Sequence, residues 1–230
     1  AYQLLQDILV DYYLDNDIEK LIQTSIKTFK LPFEIKKEIL ENCIYGIDKD
    51  YNAVQACKFG LLLKLLENED NSTITLPALP NLDKNIQFGN SLIDSSMSTD
   101  EKINPFDFGK TRFDVIIGNP PYMATEHMKQ LLPVEKTLYE KHYKTAYKQY
   151  DKYFLFIERG FNLLKENGYF GYIIPSKFTK VGAGKELREF LSSRKVIKKI
   201  ISFGANQVFE DKTTYTSILI LSKNENVSFL

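Results

Sequence analysis

Asn119-Pro120-Pro121-Tyr122 is the stretch of this chain whose residue types are suited to chemistry. The Asn119 side chain offers a carbonyl acceptor. Pro120 contributes a backbone carbonyl and has no N–H. Two consecutive prolines fix φ, and Pro120 biases Asn119 towards an extended backbone. Two acceptors are therefore held rigidly at one point, and Tyr122 adds a flat aromatic face for stacking. This combination suits a planar amino group. The lone pair of an aromatic amine is delocalised into the ring, which makes the nitrogen a poor nucleophile. Two hydrogen bonds accepted from its N–H groups favour a pyramidal nitrogen, with the lone pair turned towards an electrophile. That is preorganised electrostatic stabilisation of developing positive charge, and no strong base is required beforehand. The plain alternative is a Pro-Pro turn after a strand, followed by a surface tyrosine.

The tetrapeptide follows Phe113-Asp114-Val115-Ile116-Ile117-Gly118, a continuous apolar run that reads as a buried strand. Ligands of open α/β sheets bind outside the carboxyl ends of the strands. Helical and strand-like segments alternate along the chain, as in a protein with a parallel sheet. Helices are expected over 1–14, 17–29 and 32–42, the last opened by Pro32. A buried strand, Cys43 to Ile47, ends in the carboxylate of Asp48, and an amphipathic helix covers Asn52 to Leu66. Strand Ile86-Gln87-Phe88 leads to Gly89-Asn90 between two irregular stretches. A helix from Tyr150 to Glu166 is expected to close at Asn167-Gly168. Then follow a strand from Tyr169 to Ile174, a helix over 184–193, and strands over 197–203 and 217–221.

Composition bounds the class. With 43% hydrophobic and 26% charged residues, an ordinary globular protein is expected, without a signal peptide or a membrane span. Cys43 and Cys57 make no disulfide framework and no metal cluster; they read as small buried hydrophobes or inert thiols in a reducing cytoplasm. Thirty basic residues balance thirty acidic ones, which argues weakly against nucleic-acid binding. Local charge differs. Lys177, Lys180, Lys185, Arg188, Arg194, Lys195, Lys198 and Lys199 face only Glu186 and Glu189, as a solvated helix face or a phosphate-contacting edge. Tyr139, Tyr143, Tyr147 and Tyr150 recur at helical spacing among Lys141, Lys144 and Lys148. Such a stripe either follows a DNA strand or packs an amphipathic helix on its own domain.

The run from Asp114 to Tyr122 resembles the catalytic motif of amino-group DNA methyltransferases, and the wider chain is similar to the adenine-specific enzymes of type II restriction–modification systems. The resemblance spans roughly residues 40 to 223. It also includes Ile44–Asp48, Leu79–Leu82, Phe88–Leu92, Tyr172–Pro175 and Thr213–Ile218, each weak alone and strong as an ordered set. It implies a Rossmann-like class I S-adenosylmethionine-dependent methyltransferase sheet, mostly parallel with an antiparallel strand near one edge. Residues 1–42 would be a helical lead-in to a sheet core over 43–223, within one catalytic domain over 1–230.

The resemblance further implies roles for particular positions. Asp48 would bond the ribose hydroxyls of the cofactor S-adenosylmethionine, and Asn90 its adenine amino group. Lys49, Ser91, Asn119 and Pro121 would complete the cofactor site. Asn119 and Pro120 would grip the amino group of an adenine flipped out of double-stranded DNA, and Tyr122 and Phe209 would pack on the base. Each position also has a plainer reading: a helix cap for Asp48, a turn residue for Asn90, a core anchor for Phe209. No metal site is implied.

The chain departs from the family at its start. Such enzymes carry an acidic, glycine-rich cofactor loop upstream of the carboxylate strand, yet no glycine precedes Gly46. The chain is thus expected to begin past that loop and, alone, to bind S-adenosylmethionine weakly or not at all. A target-recognition region and any fused nuclease are expected outside it. The rival readings are a protein-glutamine or RNA methyltransferase, N4-cytosine methylation, and a cofactor-free DNA-binding or assembly module.

Overall fold

A computed structural model describes residues 1–69, 79–204 and 215–224. The chain divides into two compact units, Ala1–Ser91 and Leu92–Leu230.

The first unit opens with α1 (Tyr2–Asn16) and a ribbon of β1 (Ile22–Ser25) and β2 (Thr28–Lys30). Then come α2 (Phe33–Cys43), β3 (Gly46–Asp48), α3 (Tyr51–Leu66) and β4 (Ile86–Phe88). β3 and β4 pair in parallel, with Asp48 opposite Phe88, so both strands present their carboxyl ends at one edge. The core gathers Tyr2, Phe33, Leu40, Val54, Leu65 and Ile86. The helix expected over 17–29 does not form. β-branched and aromatic residues dominate Ile22–Phe29, a composition suited to a pleated surface. The Thr28 hydroxyl lies 2.8 Å from that of Thr24 and 2.6 Å from that of Ser25. These side-chain bonds hold the ribbon closed in competition with helix.

In the second unit β5 (Phe113–Gly118), β6 (Leu164–Pro175), β7 (Ile197–Ser202) and β8 (Thr216–Ser222) form one sheet in the order β5-β6-β8-β7. β5 and β6 are parallel, while β8 runs against both of its neighbours and lies next to the edge strand β7. The helices are α4 (Thr125–Leu131), α5 (Pro133–His142), α6 (Lys152–Asn162) and α7 (Lys185–Ser193). One face of the sheet is core: Phe170, Tyr172 and Leu219 cluster with Phe154 and Ile157 of α6 and Phe190 of α7. The fold is α/β with a mixed sheet. A single sheet was the expectation, but the described residues form three separate ones.

Three further expectations are corrected. β5 is not buried throughout, since Val115 and Ile117 are 59% and 61% exposed. Alternation sends them to the face opposite the core. α6 ends at Asn162 because the Leu163 N–H bonds the carbonyls of both Arg159 and Gly160, tightening the last turn. Asn167, at φ 65°, and Gly168 then turn the chain inside β6, where pairing jumps from Phe113–Leu164 to Val115–Tyr169. Cys43 and Cys57 are both exposed rather than buried. Among the described residues no helix is long and apolar enough to cross a membrane, and no cluster of three metal-ligating side chains occurs.

Candidate active site

β5 delivers Asn119-Pro120-Pro121-Tyr122 from its carboxyl end, beside the parallel β6. The approach is close at Gly118, which pairs with Tyr172: a Cβ there would stand 3.0 Å from the Tyr172 ring. Asn119 and Pro121 are exposed, Pro120 is buried and Tyr122 is half-buried. The Tyr122 hydroxyl lies 2.8 Å from Asn119 Oδ1 and 3.0 Å from the carbonyl oxygen of Ile173 in β6. Its ring meets that of Tyr153 edge-on at 6.0 Å, and the Tyr153 hydroxyl donates to the Pro175 carbonyl at 3.3 Å. Burial pushes the Tyr122 phenol above its ordinary value.

The segment after the tetrapeptide is tied down as firmly. The Lys152 N–H donates to the Met123 carbonyl at 2.8 Å. The buried Thr125 hydroxyl donates to the Tyr150 carbonyl at 2.6 Å and accepts from the Tyr150 N–H at 2.7 Å. Asp151 pairs with Lys177 at 2.9 Å. The four residues are thus held between the end of β6 and the start of α6. Thr125→Val removes both bonds and leaves the buried Tyr150 N–H without its partner, so it is expected to lower stability by about 2 kcal/mol. Urea denaturation measures this, and Thr125→Ser, which keeps the hydroxyl, should recover most of the loss.

In the first unit Asp48 ends β3 as an exposed carboxylate, and its Oδ1 accepts from the Asp50 N–H at 2.7 Å. Helix capping falls to Asp50, whose Oδ1 accepts from the N–H groups of Asn52 and Ala53 at 2.8 and 3.3 Å. The cap reading of Asp48 is thereby replaced. Asn90 follows β4 and is buried; Lys49 is exposed and Ser91 half-buried. Gly89 donates its N–H to the Asp48 carbonyl at 2.8 Å, which ties the Asn90 segment to the end of β3. The rings of Tyr51 and Phe88, both exposed, meet edge-on at 5.8 Å at the same strand ends.

Other expected features resolve differently. Phe209, Thr213 and Thr214 lie outside the described residues. Tyr215 accepts from Ser176 at its carbonyl, and Thr216 and Ser217 are buried beside the end of β6. The tyrosine stripe is not one helix: α5 stops at His142, Tyr139, Tyr143 and Tyr150 are buried, and Tyr147 alone of the four is exposed. This favours packing within the unit. In the basic stretch, Lys177 is paired with Asp151, Arg188 donates to the carbonyls of Phe178 and Val181, and Arg194 stacks on Phe190. Lys180, Lys185, Lys198 and Lys199 remain exposed. Thr125, Tyr153 and the Ile173 carbonyl were not anticipated. A strand carbonyl has no side-chain signature, and the pairing of Thr125 with Tyr150 spans 25 residues of sequence.

The chain matches the family described as Eco57I restriction-modification methylase over residues 42–209. It is 61% identical to the type II restriction enzyme and methyltransferase RM.Eco57I of Escherichia coli, an alignment that covers 100% of this chain and 24% of that protein. It is 29% identical to the type II methyltransferase M.BstVI of Geobacillus stearothermophilus, over 93% of this chain and 35% of that one. The chain therefore spans about a quarter to a third of the length of these relatives. Among solved structures it resembles the M protein of the type I restriction enzyme EcoKI, with a TM-score of 0.54 at 13% identity over 93% of this chain and 35% of that chain. It also resembles DrdV in its complex with DNA, with a TM-score of 0.58 at 16% identity over 84% of this chain and 21% of that chain.

Proposed function

This chain belongs to the Eco57I restriction-modification methylase family, and from that premise we propose that it transfers a methyl group from S-adenosylmethionine to the N6 amino group of adenine at specific sites in DNA, within a bacterial restriction–modification system. RM.Eco57I is named as restriction enzyme and methyltransferase together; we assign the methyl-transfer part to this chain, with residues 43–223 as its Rossmann-like catalytic core. The observation that carries the reading is the exposed Asn119 at the carboxyl end of β5, its carboxamide oxygen fixed beside a buried Pro120.

The residues present fit the cofactor. Asp48 is exposed and free of the capping role, so its carboxylate can accept from two vicinal hydroxyls. The Tyr51–Phe88 pair presents exposed aromatic surface at the same strand ends. Lys49, Asn90 and Ser91 complete the assignment in this unit, and Pro121 is assigned to the cofactor by the family resemblance alone. S-adenosylmethionine supplies an electrophilic methyl group when bound. Asn119 Oδ1 and the Pro120 carbonyl accept the two N–H groups of a flipped adenine, localise its lone pair, and stabilise the positive charge that develops on nitrogen. Tyr122, and Phe209 by resemblance alone, offset part of the unstacking cost of a few kcal/mol by packing on the base.

The test incubates the whole protein with unmethylated DNA and methyl-labelled S-adenosylmethionine, then separates the nucleosides. Labelled N6-methyladenine is the expected product. Labelled N4-methylcytosine would move the target base, label in protein or RNA would move the substrate, and no label would remove the reading.

A further inference from the structure

The Tyr122 hydroxyl has one proton and two acceptors within reach, Asn119 Oδ1 at 2.8 Å and the Ile173 carbonyl at 3.0 Å. Its oxygen is well fixed: the ring stands edge-on to Tyr153, which is fully buried and bonded in turn to the Pro175 carbonyl. The proton alone is free to move, because a hydroxyl hydrogen rotates to suit its partners. Asn119 Oδ1 is the atom that the proposed reaction needs for the substrate amine. A carboxamide oxygen shared between a phenol and an amino group is a weaker acceptor for each.

We propose that the Tyr122 hydroxyl is a two-position donor: it holds the Asn119 carboxamide with its oxygen in place before substrate arrives, and turns to the Ile173 carbonyl when the amino group engages Asn119 Oδ1. This deepens the methyltransferase reading and rests on it. In the resting site the phenol keeps Asn119 from presenting its NH₂, which would meet the donor hydrogens of the amine. When positive charge develops on the substrate nitrogen, the same proton is accepted by β6, leaving the carboxamide oxygen undivided. The role belongs to the hydroxyl and is separate from stacking by the ring. It makes Tyr122 a positioning residue, acting through Asn119, as well as a platform for the base. Burial, which raises the phenol's pKa, keeps the proton in place throughout.

The test is a double-mutant cycle in the whole protein, with single-turnover transfer of labelled methyl to unmethylated genomic DNA. Tyr122→Phe keeps the ring and removes the hydroxyl. It should slow transfer about 5- to 10-fold, with DNA affinity unchanged and the thermal midpoint lowered no further than the loss of one half-buried hydrogen bond requires. In the Asn119→Ala background the same change should alter the residual rate less than about 2-fold, because the hydroxyl then has nothing to position. A Tyr122→Phe rate equal to wild type overturns the proposal and leaves the methyltransferase reading standing. An equal slowing in both backgrounds also overturns it, since that marks a purely structural contribution. Absence of any transfer by the wild type removes the underlying reading, and this inference falls with it.

Discussion

Asn119→Ala is expected to lower the turnover of methyl transfer by about 10²- to 10³-fold while leaving DNA affinity nearly unchanged. The side chain is exposed at the end of β5, so its loss opens no cavity and strands no buried partner apart from the Tyr122 hydroxyl, which retains the Ile173 carbonyl. The fold should therefore survive. In the proposed reaction the amide oxygen acts chiefly as charge develops on the substrate nitrogen, so removing it should weaken the transition state more than the ground state. Transfer rates and DNA binding measured on the same preparation separate the two. A variant with wild-type turnover would sink the clamp, and one that loses binding and turnover equally would make Asn119 a binding residue. Asn119→Asp keeps an acceptor at the same position and should retain more activity than the alanine.

The placement of the tetrapeptide was legible because its parts are contiguous. A run of six strand residues followed by Asn-Pro-Pro-Tyr predicts both the element and the end at which the acceptors emerge, and β5 ends at Gly118 as that pattern requires. Asp48 was half legible. Its place after a short strand was readable, but the cap read for Asp48 falls to Asp50, two residues on, whose carboxylate takes the first N–H groups of the helix. The supports of the site were not readable. Thr125 with Tyr150, and Tyr122 with Ile173, join residues 25 and 51 positions apart, and no local pattern encodes which carbonyl a hydroxyl will meet. The tyrosine stripe packs within its unit, as one of its two readings had it, but not as one helix, for a related reason. Period alone cannot tell a single helix from a helix followed by a loop whose tyrosines turn inward, and burial of Tyr143 and Tyr150 decided it. The ribbon at 22–30 shows tertiary and side-chain bonding overriding an apolar spacing that also fits a helix.

The same limit appears at Gly184, where Gly184→Ala is expected to destabilise the protein by about 3 kcal/mol. Its backbone, at φ −81° and ψ 1°, suits any residue, so conformational freedom is not the reason for glycine. Space is the reason. A Cβ would collide with the Phe178 carbonyl oxygen and stand 2.8 Å from its carbonyl carbon, both backbone atoms that no rotamer change relieves. That oxygen also accepts from the Arg188 guanidinium, so moving it disturbs a second bond. Phe178 is buried in the core of the second unit and cannot retreat without opening it. Gly182, two residues earlier, is the control: nothing lies within 4 Å of the point a Cβ would occupy there, and Gly182→Ala should change stability by less than about 0.5 kcal/mol. Urea midpoints for the two variants decide the matter, and equal midpoints would show that the close approach is not maintained in solution. The consequence reaches the site, because a single turn, Ser176–Thr179, joins Phe178 to Ile173 and Pro175, whose carbonyls receive the Tyr122 and Tyr153 hydroxyls. A shifted Phe178 backbone pulls on those acceptors. The part of Gly184→Ala that survives folding should therefore transfer methyl groups more slowly than its folded fraction alone predicts.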